Sequence, residues 1–235
     1  MEVHAHTHTA RKKWTHYFWE FLMLFLAVFC GFLAEYQLEH KIEKERGRQY
    51  IISFYEDLKT DTARFNGIIA NYERQIEVFK QADDCYQIIS KNIKSDSCLV
   101  KLMYNSGGFA DLVFTDRTLQ QLKNAGGLRM LKKDEADSIL IYDNLLRIYL
   151  KGETTAFQET QYKIRDLTLS IVNHKVFKSQ SVQVLYVENA EKINQFFNLL
   201  SMYESHCHDN LKKMIQIKNY ATTLLEYFKK TYHLK

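Results

Sequence analysis

Between Tyr17 and Ala34 the chain carries 18 residues with a single charge, Glu20. No other stretch constrains the fold so tightly. As an α-helix at ~1.5 Å per residue it is about 27 Å long, close to the ~30 Å hydrocarbon thickness of a bilayer. Hydrocarbon offers no partner to an unpaired backbone, so one apolar run can cross it only as a helix. Lys13 and Glu35 bracket the run, and Trp14, Tyr17 and Trp19 crowd its N-terminal end beside Arg11, Lys12 and Lys13. Amphipathic rings next to basic residues suit the headgroup level. A transmembrane helix is therefore expected over 14–35. A cleaved secretory signal fits less well, because Phe32 at −3 and Phe29 before Cys30 are too bulky for the cleavage sites that Ala34 and Cys30 would otherwise offer.

Glu20, Ala27, Gly31 and Ala34 recur so that, at ~100° per residue, all four fall on one face of that helix. Ala27 and Gly31 form a small-xxx-small pair, which lets two backbones approach closely. A carboxylate on the same stripe would face a partner helix and not lipid. The expectation is a membrane-helix interface at Glu20, Ala27, Gly31 and Ala34 through which the protein self-associates. Two other readings stand beside it: Glu20 snorkels to headgroups, or it relays protons within an ion- or proton-coupled complex.

Beyond the anchor the chain reads as helix. It has no proline and only 8 glycines in 235 residues, so long helices meet few breaks. Mixed charges over 36–50 fit a solvated helical stalk. Ile51, Tyr55, Leu58, Thr62, Phe65, Ile69, Tyr72, Ile76 and Phe79 then alternate in steps of four and three, predicting a long amphipathic helix to about Asn92. A loop is expected at 94–97 and a short helix near 98–105, broken at Gly107 and Gly108. Thr115 or Asp116 can cap a helix that ends at Gly126 and Gly127. From Asp134, expected as a cap, a stripe including Ile139, Tyr142, Leu146, Tyr149, Phe157, Ile164 and Ile171 predicts a second long helix, with Gly152 able to bend it. Residues 174–188 are expected to be a connector. A last helix over 189–232 carries Ile193, Phe197, Leu200, Cys207, Leu211, Met214, Ala221, Leu225 and Phe228. The predicted fold is all-α: a single N-terminal transmembrane helix continuing into a long-helix antiparallel bundle over 51–235.

The chemistry is sparse. The net charge of +4 is too mild to argue for nucleic acid. No phosphate loop, dinucleotide fingerprint, zinc-protease or nucleophile-elbow motif occurs, so no enzymatic activity and no cofactor is expected. His206, Cys207 and His208 are adjacent on a helix and point ~100° apart, which excludes a common metal. His4, His6 and His8 lie in a polar tail, 1–13, expected to be cytoplasmic. Cys85 and Cys98 are a possible disulfide across the first loop; the alternative is that they are unpaired small apolar residues.

The segment KKWTHYFWEFLMLFLAVFCGFLAE, residues 12–35, resembles the N-terminus of a family of uncharacterised single-pass bacterial membrane proteins of Bacteroidota-type genomes, and TLQQLKNAGGLRML, residues 118–131, is similar to a later segment of that family. Cys30 stands where the family has a small residue. The resemblance implies an inner-membrane protein with a helical domain and implies no activity. Basic residues abut the N-terminal end of the anchor, and Glu35 and Glu39 abut the other, which favours a cytoplasmic N-terminus and a periplasmic bundle. The reading is a membrane-anchored helical scaffold or sensor/adaptor of the envelope, partnered by the bilayer and by a second copy or another membrane protein. The alternative is an accessory subunit of an ion- or proton-coupled complex using Glu20.

Overall fold

A computed structural model describes residues 14–90, 96–106, 113–173 and 190–234. The expected tail with its histidines, the glycine pair at 107–108 and the connector at 174–188 lie outside these. Among the described residues the chain is helical with no strand. The helices are α1 (Trp14–Ser90), α2 (Asp96–Asn105), α3 (Arg117–Asn124), α4 (Lys133–Gly152), α5 (Gln158–Ile171) and α6 (Ala190–Tyr232). A 3₁₀ turn, Gly127–Met130, precedes α4, and a π-turn, Glu153–Phe157, follows Gly152 and joins α4 to α5. The long helix expected after Asp134 thus runs through its glycine with one widened turn rather than a break.

α1 is a single helix of 77 residues. With no proline to remove a hydrogen bond, nothing interrupts its ladder over about 115 Å. Between 14 and 46 no side chain is buried. This part holds the one stretch among the described residues long and apolar enough to cross a membrane, with a mean hydropathy of 2.0. From Gly47 on, α1 packs into the bundle.

Three long rods make up that bundle: α1, the α4–α5 rod and α6. Their pairings set their directions. Phe54 meets Tyr142 and Tyr72 meets Tyr149, so α1 and α4–α5 run parallel. Phe54 meets Phe228, Phe79 meets Tyr203 and Tyr86 meets Phe197, so α6 runs antiparallel to α1. The parallel pair is possible because α2, α3 and the 3₁₀ turn bring the chain back along α1 before α4 starts. Glycine makes that return fit. Gly126 takes a left-handed φ of 69°, and a Cβ on Gly127 would sit 3.1 Å from both Leu122 and the Tyr50 ring.

The buried stripe of α1 differs from the predicted one in its alternate steps. Ile51, Tyr55, Leu58, Phe65, Tyr72 and Phe79 are buried as expected, with Phe54 buried beside Tyr55, but from there on the intervening core positions are Asp61, Ile68 and Gln75. Thr62, Ile69 and Ile76 are only partly covered. α6 behaves likewise, with Phe196, Asn210 and Leu224 buried where Phe197, Leu211 and Leu225 were expected. Apolar periodicity alone passed over Asp61, Gln75 and Asn210. Two expected caps also differ. Asp116 is the N-cap of α3 but its side chain makes no capping bond; the Thr115 N–H donates to Asp61 Oδ1 at 2.9 Å instead. α4 begins one residue before Asp134, and Glu135 Oε2 accepts the Lys132 N–H at 3.2 Å, reaching back as a capping-box acid does.

Candidate functional site

Glu20, Ala27, Gly31 and Ala34 are all exposed. A Cβ built on Gly31 meets nothing within 4 Å, so the fold of one chain does not require glycine there. His16 Nε2 lies 3.5 Å from Glu20 Oε1, one turn away. The four positions stand in a fixed relation to the bundle: each is followed 27 residues later by a buried residue of the same helix, Gly47, Phe54, Leu58 and Asp61 respectively. Twenty-seven residues is about seven and a half turns at ~3.6 residues per turn. On an unbroken helix the stripe and the bundle are therefore on opposite sides of α1.

The bundle's interior carries a polar seam. Tyr72 Oη and Tyr149 Oη share a hydrogen bond of 2.6 Å, and Asn210 Nδ2 donates to Tyr72 Oη at 3.4 Å, tying all three rods at one level. One level nearer the anchor, Asp61 is 1% exposed. It accepts from the Thr115 N–H and, at 3.4 Å, from the Tyr142 hydroxyl, while Arg64 stands 3.6 Å away. Burial pushes the Asp61 carboxyl up from its ordinary value, and the bond from Thr115 opposes this only in part. Tyr142 is pushed up as well, by burial first and then by Asp61. Asp143 has the opposite balance. Burial raises it, but hydrogen bonds from Arg147 (2.9 Å) and Lys123 (2.7 Å) outweigh burial and hold it below the usual range. At the base, buried Glu135 accepts from the Tyr232 hydroxyl at 2.9 Å, tying the end of α6 to the start of α4. Most of these groups pair across helices, as the members of a structural seam do.

The structure joins Cys85, near the end of α1, to Cys98 on α2, with Cα atoms 5.7 Å apart. Cys207 is fully buried in the α6 stripe with His208 exposed beside it, and burial pushes its thiol up to about 12. Such a thiol is neither nucleophile nor ligand at neutral pH. Among the described residues no group of three or more His, Cys, Asp or Glu side chains is placed to hold a metal ion. The structure therefore sets the sequence-derived candidates apart: the anchor face lies outside the bundle, and the Cys85–Cys98 pair sits toward its far end. Between them lies the seam, which periodicity did not reveal. Its one sequence signal was the i, i+4 pair Asp57 and Asp61 beside the apolar stripe. Comparison with family models, curated proteins and solved structures found no match to this chain.

Proposed function

We propose that this protein is a non-enzymatic, membrane-anchored helical scaffold or sensor/adaptor of the bacterial envelope, which self-associates through Glu20, Ala27, Gly31 and Ala34. The observation that carries the reading is the opposition of faces on α1. Because the buried positions lie half a turn away from the small-residue stripe, a second copy can approach the stripe with both bundles on the outside. Small residues allow the close backbone contact that drives helix association in lipid. The Cys85–Cys98 pair supports a bundle in an oxidising compartment, hence a cytoplasmic N-terminus and a periplasmic domain. The proposed family remains the single-pass bacterial membrane proteins that the segments 12–35 and 118–131 resemble.

The test compares the particle size of the full chain and of Gly31→Ile in mild detergent, together with amine crosslinking, which does not depend on cysteine. A smaller assembly than wild type is expected on substitution. An unchanged size removes self-association through this face. Reporter fusions after Lys235, one active only outside the cytoplasm and one only inside, test the orientation separately.

The accessory-subunit reading has one observation of its own, the proximity of His16 to Glu20. Glu20→Gln separates the two: a scaffold keeps its assembly and partners, whereas a proton-coupled complex loses its coupled flux.

A further inference from the structure

The end of the bundle nearest the anchor is built from three parts of the chain. They are α1 around Gly47, the 3₁₀ turn with the start of α4, and the end of α6, which the Tyr232–Glu135 bond draws alongside. Exposed cations gather there: Arg46 and Arg48 on α1, Arg129 and Lys133 in the turn and at the head of α4, and Lys229 and Lys230 in the last turn of α6. None of the six forms an ion pair with a described residue. The exposed acids beside them are fewer, Glu45, Asp134 and Asp137, while Glu135 is buried and accepts from Tyr232 and the Lys132 N–H. Beyond Tyr72 the sign on α1 reverses, with Glu73, Glu77, Asp83 and Asp84 exposed against Arg74 and Lys80. The helix dipole accounts for Lys229 and Lys230, which stand at a C-terminus. It does not account for the others: Lys133 opens α4, where the dipole disfavours a cation, and Arg46 and Arg48 lie in mid-helix.

We infer that this basic end docks on anionic lipid headgroups of the membrane that holds the anchor. The inference rests on the anchor reading above, which places such a surface directly opposite these side chains. From Ala34 to Gly47 the unbroken α1 rises about 20 Å at ~1.5 Å per residue. The headgroup layer fills about 5–7 Å of that. The other two rods lie to one side of α1, with axes ~8–10 Å away, as packed helices do. A tilt of ~20–40° toward that side, within the range of membrane helices, lowers their ends by about 3–6 Å. Extended lysine and arginine side chains and the ~8 Å reach of charge at physiological salt cover the rest. Each basic residue brought to an anionic surface contributes about 1 kcal/mol, so lipid charge sets how closely the bundle stands to the membrane. A neutral leaflet offers this end no comparable attraction.

The full chain, with a fluorophore on a short tag after Lys235, is reconstituted in phosphatidylcholine vesicles and in vesicles one-third phosphatidylglycerol. Both carry a trace of lipid spin-labelled on the headgroup, which quenches only at near contact. Quenching is expected to be at least twofold greater in the anionic vesicles. It is expected to return to the neutral level in about 0.5 M salt, where the Debye length is ~4 Å. Arg129→Gln, Lys133→Gln, Lys229→Gln and Lys230→Gln combined are expected to abolish the difference; all four side chains are exposed, so the fold is kept. Lys163→Gln with Lys212→Gln, further from the membrane, is expected to preserve it. Equal quenching in the two vesicles, or a difference that survives high salt or the fourfold variant, overturns the proposal. Flotation after an alkaline wash separates the two readings. A chain that washes off overturns the anchor as well, whereas one that stays and is quenched equally overturns this inference alone.

Discussion

A Cβ on Gly47 would lie 2.5 Å from the carbonyl oxygen of Met130. Here the 3₁₀ turn rests on α1 just where the helix enters the bundle, and the obstructing atom is backbone, which cannot swing away. Gly47→Ala is therefore expected to destabilise the domain by about 1–3 kcal/mol, the usual cost of overpacking. Gly67, on the same helix, meets nothing within 4 Å. Gly67→Ala is expected to stabilise by up to about 1 kcal/mol through helix propensity. Thermal unfolding followed by circular dichroism measures both, and the two changes must have opposite sign.

The hydroxyls of Tyr72 and Tyr149 make the shortest link of the buried seam. Tyr149→Phe is expected to cost about 1 kcal/mol, the net value of one buried hydrogen bond. Tyr72→Phe is expected to cost more, because the same hydroxyl also receives Asn210 Nδ2. Chemical denaturation of the two variants checks the order; an equal or reversed order means that the Asn210 contact contributes nothing.

Asp143 is held below its ordinary 3.8 by Arg147 and Lys123 once their bonds outweigh its burial. A depressed folded-state value adds stability above the unfolded value and loses it as pH falls through the folded one. Asp143→Asn is expected to lose about 1–2 kcal/mol at pH 7, an amount discounted because Arg147 is half exposed. The gap to wild type is expected to close as the solution is acidified below about pH 4, and unfolding at a series of pH values follows it.

Asp61 has the opposite sign. Its folded-state value is raised by burial, so its favourable contribution is present below 3.8 and is lost as pH rises through the raised value. Asp61→Asn still offers an oxygen to the Thr115 N–H. The variant is expected to match or exceed wild type at pH 7, with wild type gaining relative to it on acidification. A loss above about 1 kcal/mol at pH 7 would show that the charge itself, through Arg64, is stabilising.

The Cys85–Cys98 bond closes a sequence separation of 13 residues. Chain-entropy arguments put a loop of that size at roughly 2–3 kcal/mol. A reducing agent is expected to lower the unfolding midpoint of the wild type accordingly and to leave the double variant Cys85→Ala with Cys98→Ala unmoved. Insensitivity of the wild type would show that the pair is not bonded in the purified protein.

Most of the architecture was legible because helices announce themselves locally. The apolar run at 17–34, the three–four spacing of large side chains and the absence of proline depend only on residues within a turn or two of each other. The boundaries of the last helix lie within one residue of expectation, Ala190–Tyr232 against 189–232. The end of α3 was legible for the same reason, since a left-handed residue such as Gly126 stops a helix wherever it stands.

The candidate sites divide along the same line. The sequence by itself determined the long apolar helix near the N-terminal end, the placement of Glu20, Ala27, Gly31 and Ala34 on one of its faces and the candidate pairing of Cys85 with Cys98, since each follows from spacing along one or two helices. Only the tertiary structure decided the rest. Asp61, Gln75 and Asn210 enter the core because a position's burial is set by which helix lies across from it; Asp61 and Asn210 are tolerated there because other elements present them with partners, Thr115 and Tyr142 to the one and Tyr72 to the other. The direction of α4–α5, parallel to α1, depends on a return path that no periodicity encodes. The opposition of the stripe to the bundle needed the buried face of α1, which only packing sets; the continuity of α1 to Ser90, expected from the sequence, then carries a phase set near one end some forty residues on.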